Sequence, residues 1–184
     1  MTKLVVDDDV RLQAVVEANT DEMFRLVDRN RAYLREWLPW LDANRSAEDS
    51  RSFIRDSNTR ASEGAGLVTA IFFRDQICGV AGFNWIDAAN RACEIGYWIS
   101  EDHQGRGIVT RSVRSLVGFA FDQKQLNRVT MPVAVGNTKS RGIPERLGFT
   151  SEGIRREAEW LYDHFVDHVM YAMLSADWVL PRDA

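Results

Sequence analysis

The sequence predicts a single mixed α/β domain, and three observations carry that reading. Its 184 residues suffice for one substantial core and are too few for two comfortable ones. Helical spacing dominates the first third, runs of β-forming residues follow, and the helical period returns after Gly107. Repeats, low-complexity stretches and linkers are absent from the sequence, so residues 1–184 read as one domain.

The elements follow in order. Residues 10–15 alternate apolar and polar side chains, the pattern of a half-buried strand. Thr20 is the expected N-cap of a helix with Met23, Leu26 and Val27 on its apolar face and Asp21 and Glu22 in its first turn. Residues 31–41 carry Leu34, Trp37, Leu38 and Leu41 at helical spacing, with Pro39 expected to kink or end the helix. Ser46, with Glu48 and Asp49 behind it, opens a third helix through Phe53 and Ile54, and Gly64-Ala65-Gly66 stops it.

Residues 67–73, 76–85 and 92–99 then read as an antiparallel meander, turning at Asp75 and at 87–90. Val113, Leu116, Val117, Ala120 and Phe121 form one helical stripe facing a sheet. Residues 128–135 are a further strand, and 137–147 a short helix closed by Gly148. Two final strands, 149–161 and 164–174, turn around residues 160–163, which makes seven strands.

Composition narrows the function. Hydrophobic residues at 45% and charged residues at 27% are ordinary for a soluble globular protein. With 27 acidic and 23 basic side chains the net charge is −4, which gives no basic surplus for neutralising phosphates, so nucleic-acid binding is not expected. A membrane span and a secretory leader are not expected either, and the cytoplasm is the expected compartment. Cys78 and Cys93 lie in apolar, strand-like runs and are expected as buried free thiols. With three histidines off any zinc spacing, no metal site is expected.

The most informative segment is the strand ending at Ile99, then a loop, then a helix. Gly105 and Gly107 permit backbone conformations closed to residues with a Cβ and let main-chain N–H groups approach a ligand. At a helix start those groups and the positive end of the dipole suit a pyrophosphate, with Arg106 able to add a charge-assisted bond. A sharp strand-to-helix turn would use the same glycines. The pattern is neither the dinucleotide fingerprint, which needs a third glycine, nor a P-loop, which needs Gly-Lys-Ser/Thr.

Gln104-Gly105-Arg106-Gly107-Ile108-Val109 resembles the Gln/Arg-x-x-Gly-x-Gly/Ala signature of the GNAT superfamily of N-acetyltransferases, with Val109 departing from its last position. Asn137-Thr138-Lys139-Ser140 with residues 145–149 resembles the second half of the same cofactor site, and Tyr97-Trp98-Ile99 the strand along which the pantetheine arm lies. The order of motifs across about residues 10–178 resembles the branch that acetylates N-termini of ribosomal proteins (RimJ/RimL-like). The resemblance implies a strongly twisted mixed sheet with helices on both faces and a splayed strand pair at the acetyl-CoA site. It implies a cofactor set of Trp98, Ile99, Gln104, Gly105, Arg106, Gly107, Ile108, Val109, Thr110, Asn137 and Ser140. Self-association as a homodimer or higher oligomer is expected by the same analogy.

Transfer from a thioester needs a neutral amine, a donor for the developing oxyanion and a proton for the departing sulfur. An α-amino group, with a pKa of about 7.7–8.0, needs less help than lysine. The resemblance implies Glu159 as base and Ser140 as proton donor. Burial would raise the pKa of such a carboxylate, whereas Glu159 also reads as a solvated charge at a strand end, and Ser140 as part of the first turn of the helix capped by Asn137. Glu94 is the competing carboxylate, more often found paired with an arginine. Asn137 is expected to bond the pantetheine amide or nearby backbone, or simply to cap a helix. Pro144 leaves the direction of Ser140 open. Trp37, Trp40 and Trp85 are read as lining the acceptor groove or as core, and His103 as an exposed imidazole. Three functions compete: transfer to a protein or peptide N-terminus, transfer to a small amine (a polyamine, an antibiotic or an aminoacyl conjugate), and a non-catalytic CoA-binding module.

Overall fold

Residues 2–178 are described by the computed structural model; Met1 and residues 179–184 of the expected domain lie outside the described residues. A short strand β1 (Lys3–Val5) precedes β2 (Val10–Ala14), and Asp7 Oδ1 accepts from the N–H groups of Asp9 and Val10 in the turn between them. The first helix, α1 (Thr20–Arg29), buries Met23, Leu26 and Val27. Thr20 is not its N-cap. It lies inside the helix and donates to Glu17 O at 2.7 Å, because a short 3₁₀ turn at Glu17–Asn19 already starts the coil.

The next helix, α2 (Arg31–Arg35), is shorter than its apolar spacing predicts. Pro39 has no N–H to offer the carbonyl of Arg35, and the helix ends at that residue. Arg31 takes over the loop, donating to Leu41 O at 2.6 Å and Asn44 O at 2.7 Å, and Leu41 stays fully buried. Ser46 then caps α3 (Ala47–Ser62) in a reciprocal box with Asp49, as its sequence predicts.

Strands β3 (Leu67–Phe73), β4 (Gln76–Asp87) and β5 (Ala92–Ile99) form the meander. The β3–β4 turn is Arg74-Asp75, both at positive φ, the two-residue hairpin geometry that matches strand twist. Helix α4 (Ile108–Gly118) follows the glycine loop and runs on into a π-helical turn at Phe119–Gln123, and the stripe of Val113, Leu116, Val117, Ala120 and Phe121 along the two is buried. Strand β6 (Arg128–Ala134), helix α5 (Thr138–Arg146), and strands β7 (Thr150–Leu161) and β8 (His164–Leu174) complete the chain.

The sheet has eight strands in the order β1-β2-β3-β4-β5-β6-β8-β7, one more than the sequence predicts. The extra strand is β1. Three residues with one half-buried side chain carry no readable alternation, and pairing with β2 is what makes them a strand. Helices cover both faces. Val15, Met23, Leu26, Ile54, Ala70, Phe72, Ile77 and Val80 form the core under α1 and α3, while the larger core gathers α4, α5 and the opposite sheet face.

One pairing is parallel. Strands β5 and β6 align only through Ala92–Arg128, Cys93–Val129 and Glu94–Thr130, and then diverge. Past that point the facing main-chain groups of the two strands have no ladder partner, which opens the sheet at its middle.

Candidate active site

A cleft of about 1770 Å³ runs through this opening. Its walls are the glycine loop and α5 on one side and the α1–α3 region with β7 and β8 on the other. All the sequence-predicted site residues line it: Trp98, Ile99, Gln104 to Thr110, Asn137, Ser140, Glu94 and Glu159.

The glycine loop is built for an anion. Gly107 precedes α4 at φ 68° and Gly105 lies at φ 70°, the left-handed region where a Cβ is costly. A Cβ at either position would meet no atom within 4 Å, so the loop's outer side is open. The main-chain N–H groups from Gly105 to Thr110 find no acceptor among the described residues, as expected for a free helix N-terminus. Gln104 Oε1 accepts from Lys139 Nζ at 3.0 Å across the cleft mouth, and its Nε2 is buried without a partner. Arg146 donates to Thr110 Oγ1 at 3.2 Å, and its guanidinium folds over Gly142, where a Cβ would come within 2.8 Å of Nη1. Free donors, an orphaned amide and the cations Arg106, Lys139 and Arg146 fit a diphosphate-bearing cosubstrate. Val109 points inward and is buried, so its departure from the family pattern leaves the loop's donors untouched.

At the first turn of α5, Asn137 Oδ1 accepts from Ser140 N at 3.1 Å, so Asn137 is a helix cap. Ser140 Oγ donates to the Tyr97 hydroxyl at 3.1 Å. Burial pushes the Tyr97 phenol up to about 12, which keeps it protonated at neutral pH.

The two carboxylates differ from expectation. Among the described residues Glu94 pairs with no arginine; its Oε1 accepts from Asn84 Nδ2 at 3.0 Å. Asn84 is the extra residue of a bulge in β4, between Phe83 opposite Ile95 and Trp85 opposite Glu94. Its side chain lies over Gly96, where a Cβ would be 2.6 Å from Oδ1. Glu159 is half-buried, its side chain 32% exposed, which falls between the buried carboxylate and the solvated charge that the sequence leaves open. A wide bulge in β7, with Arg155 opposite His168 and Glu159 opposite Val166, sets its position. Asp167 Oδ1 holds that bulge by accepting from Glu157 N at 2.7 Å.

His168 is the site residue that sequence reasoning missed. It lines the cleft, is buried, and its Nε2 lies 3.6 Å from Glu159 Oε2. A polar residue between Val166 and Met170 on one face of the strand was the available signal. Trp37 and Trp40 line the cleft, whereas Trp85 does not. His103 is half-buried, with Nδ1 2.8 Å from Ser100 Oγ. Burial first, and Arg106 second, lowers its pKa. Cys78 and Cys93 are free and buried, and desolvation raises both thiols to about 12, which makes them poor nucleophiles.

Comparison with known proteins agrees with this geometry. Residues 9–150 match the model of the acetyltransferase (GNAT) domain family. The ribosomal-protein-serine acetyltransferase of Escherichia coli K12 is 31% identical over 175 residues, 95% of this chain and 98% of that protein. Among solved structures, RimL, the ribosomal L7/L12 α-N-protein acetyltransferase in complex with coenzyme A, superposes with a TM-score of 0.91. The identity is 29%, covering 94% of this chain and 98% of that one. The microcin C7 self-immunity acetyltransferase MccE, in complex with acetyl-CoA and AMP, superposes at 0.89 with 31% identity, covering 92% and 94%. No helix among the described residues is long and apolar enough to cross a membrane. The chain belongs to the GNAT acetyltransferase family, enzymes that take an acetyl group from acetyl-CoA and pass it to an amine.

Proposed function

We propose that this enzyme acetylates the α-amino group of a protein or peptide N-terminus. The supporting observation is the continuity of the acceptor side. A second hollow of about 640 Å³ shares Pro39, Ala43 and Asp49 with the main cleft and continues between the loop after α2 and the β7–β8 hairpin at Trp160 and Tyr162. A small amine has no use for that extension, whereas a polypeptide leaving the site needs a channel. The relatives named for ribosomal-protein N-termini agree with this acceptor class.

In this reading the diphosphate of acetyl-CoA takes the free N–H groups of residues 105–110, with Arg106, Lys139 and Arg146 around it. The pantetheine arm bonds the unpaired main chain of β5 beyond Glu94, at Trp98 and Ile99, and the thioester reaches the opening between β5 and β6. The acceptor amine approaches from the other side, beside Glu94 and Glu159. Glu159, directly or through a water, takes the proton that the amine sheds on attacking the carbonyl carbon. The tetrahedral intermediate collapses, the C–S bond breaks, and the Ser140 hydroxyl donates a hydrogen bond to the departing sulfur. Glu159 returns the amine's proton to the thiolate through solvent, so the amine loses one proton, the sulfur gains one, and an amide and free CoA result. The raised thiols of Cys78 and Cys93 argue for direct attack rather than an acetyl-cysteine intermediate.

A second reading, transfer to an aminoacyl nucleotide, is favoured by the indole faces of Trp37 and Trp40 in the acceptor half and by the ligands of MccE. One experiment separates the two. Purified enzyme with acetyl-CoA is offered serine-initiated peptides from ribosomal proteins and, separately, an aminoacyl nucleotide, with free thiol release followed by mass spectrometry of the acceptor. N-terminal acetylation of the peptide alone supports the first reading; acetylation of the nucleotide conjugate alone replaces it with the second.

A further inference from the structure

Pro144 lies inside α5 and has no N–H, so the carbonyl of Ser140, four residues earlier, has no intrahelical donor. Tyr97 supplies one. Its hydroxyl donates to Ser140 O at 3.1 Å and accepts from Ser140 Oγ at 3.1 Å. Tyr97 sits on β5 beyond Glu94, where the ladder to β6 has ended, so these two bonds close the gap between the splayed strand and the first turn of α5. A proline that would ordinarily disrupt a helix here leaves one acceptor exposed to a side chain from another element.

The arrangement has a chemical consequence. In the resting geometry the one hydroxyl proton of Ser140 is directed at Tyr97 and not at a substrate. Turning that proton to the sulfur gives up the Ser140–Tyr97 bond unless the phenol donates to Ser140 Oγ in return. The Tyr97 oxygen is equidistant from Ser140 O and Ser140 Oγ, so rotation about a single C–O bond redirects the phenolic hydrogen with no heavy atom moving.

We propose that Tyr97 is a positioning residue for acetyl transfer: it fixes Ser140 at the thioester and, by turning its O–H from the Ser140 carbonyl to Ser140 Oγ, releases the serine hydroxyl to the sulfur as the C–S bond breaks. The inference rests on the role of Ser140 given above. The electron pair of the C–S bond stays on sulfur, which accepts from Ser140 Oγ, which in turn accepts from Tyr97. Tyr97 keeps its proton throughout, and the proton finally carried by the thiol is the one the amine gave up. Two linked donors share the developing charge, and such chains strengthen one another.

The test compares Tyr97→Phe, Ser140→Ala and the double variant, using acetyl-CoA and a serine-initiated peptide. A hydrogen bond to a charged group corresponds to about 10- to 100-fold in rate, so Tyr97→Phe is expected to lower kcat by that factor with the KM for acetyl-CoA unchanged. The double variant is expected to be no slower than Ser140→Ala, because the phenol acts only through the serine. Loss of stability is separated by adding Pro144→Ala to Tyr97→Phe. The new N–H satisfies Ser140 O and restores the melting temperature, while kcat stays low. Recovery of kcat in that variant, additive losses in the double variant, or wild-type kcat for Tyr97→Phe alongside an impaired Ser140→Ala would each overturn the inference alone. Wild-type kcat for Ser140→Ala would overturn the role of the serine on which it rests.

Discussion

Nε2 of His168 lies 3.6 Å from Oε2 of Glu159, and the other ring nitrogen of His168 is buried without a partner. At that separation the ring is a close polar neighbour of one carboxylate oxygen and not a direct hydrogen-bond partner. The pair brings a side chain of β8 beside the candidate base on β7, at the wall of the cleft.

Glu159→Gln is therefore expected to lower kcat by about 10²- to 10⁴-fold, the range of a lost general base. His168→Leu keeps the carboxylate but replaces its polar neighbour with an apolar one, and a smaller loss, about 10-fold in kcat, is expected. His168→Gln, which offers an amide N–H in its place, should recover part of that loss. Steady-state kinetics on the three variants check the ranking, and a His168→Leu enzyme at full activity would detach the imidazole from catalysis.

Gly107 precedes α4 in the left-handed conformation, and its open surroundings mean that a methyl group there meets no clash. The cost of Gly107→Ala is thus conformational, about 1 kcal/mol in unfolding free energy. The same methyl stands on the open outer side of the loop, so the dissociation constant for CoA should rise more than the stability falls. Thermal denaturation and calorimetric titration with CoA measure the two effects separately.

His103 stands next to the loop, edge-on to Phe73 at 5.9 Å. Its pKa in the folded protein is below the ordinary 6.5, from burial first and Arg106 second. As the pH falls below about 6.5, the unfolded chain takes up a proton that the folded protein resists, so stability drops as acidity rises. The sign is that of a depressed pKa: the stabilising contribution is present above the unfolded value and is lost through the folded one. His103→Gln should flatten the urea-denaturation profile between pH 7.5 and 5.5 on the order of the part due to this one group. An identical slope in both proteins would remove His103 from the account.

Much of the molecule is legible locally. The stripe from Val113 to Phe121, the capping box of Ser46 and Asp49, and the two glycines of the loop each declare themselves within a few residues. Helix period, caps and left-handed turns are interactions between near neighbours in sequence. Prolines show where that reading ends. Pro39 terminates α2 at Arg35, whose carbonyl it cannot serve, yet Pro144 stands inside α5. The difference is Tyr97, from a strand more than forty residues away in sequence.

The sequence alone thus determined the order of elements from β2 onward and the two left-handed glycines before α4, because each depends on short-range periodicity and backbone permission; the residues that line the cleft were named by the family resemblance. Only the tertiary structure decided that β1 pairs at the sheet edge, that β5 and β6 part after Glu94 and Thr130, and that Ser140 meets Tyr97 while Glu159 meets His168. Those meetings depend on strand order and on bulges at Asn84 and around Glu157, which set the position of side chains far apart in the chain.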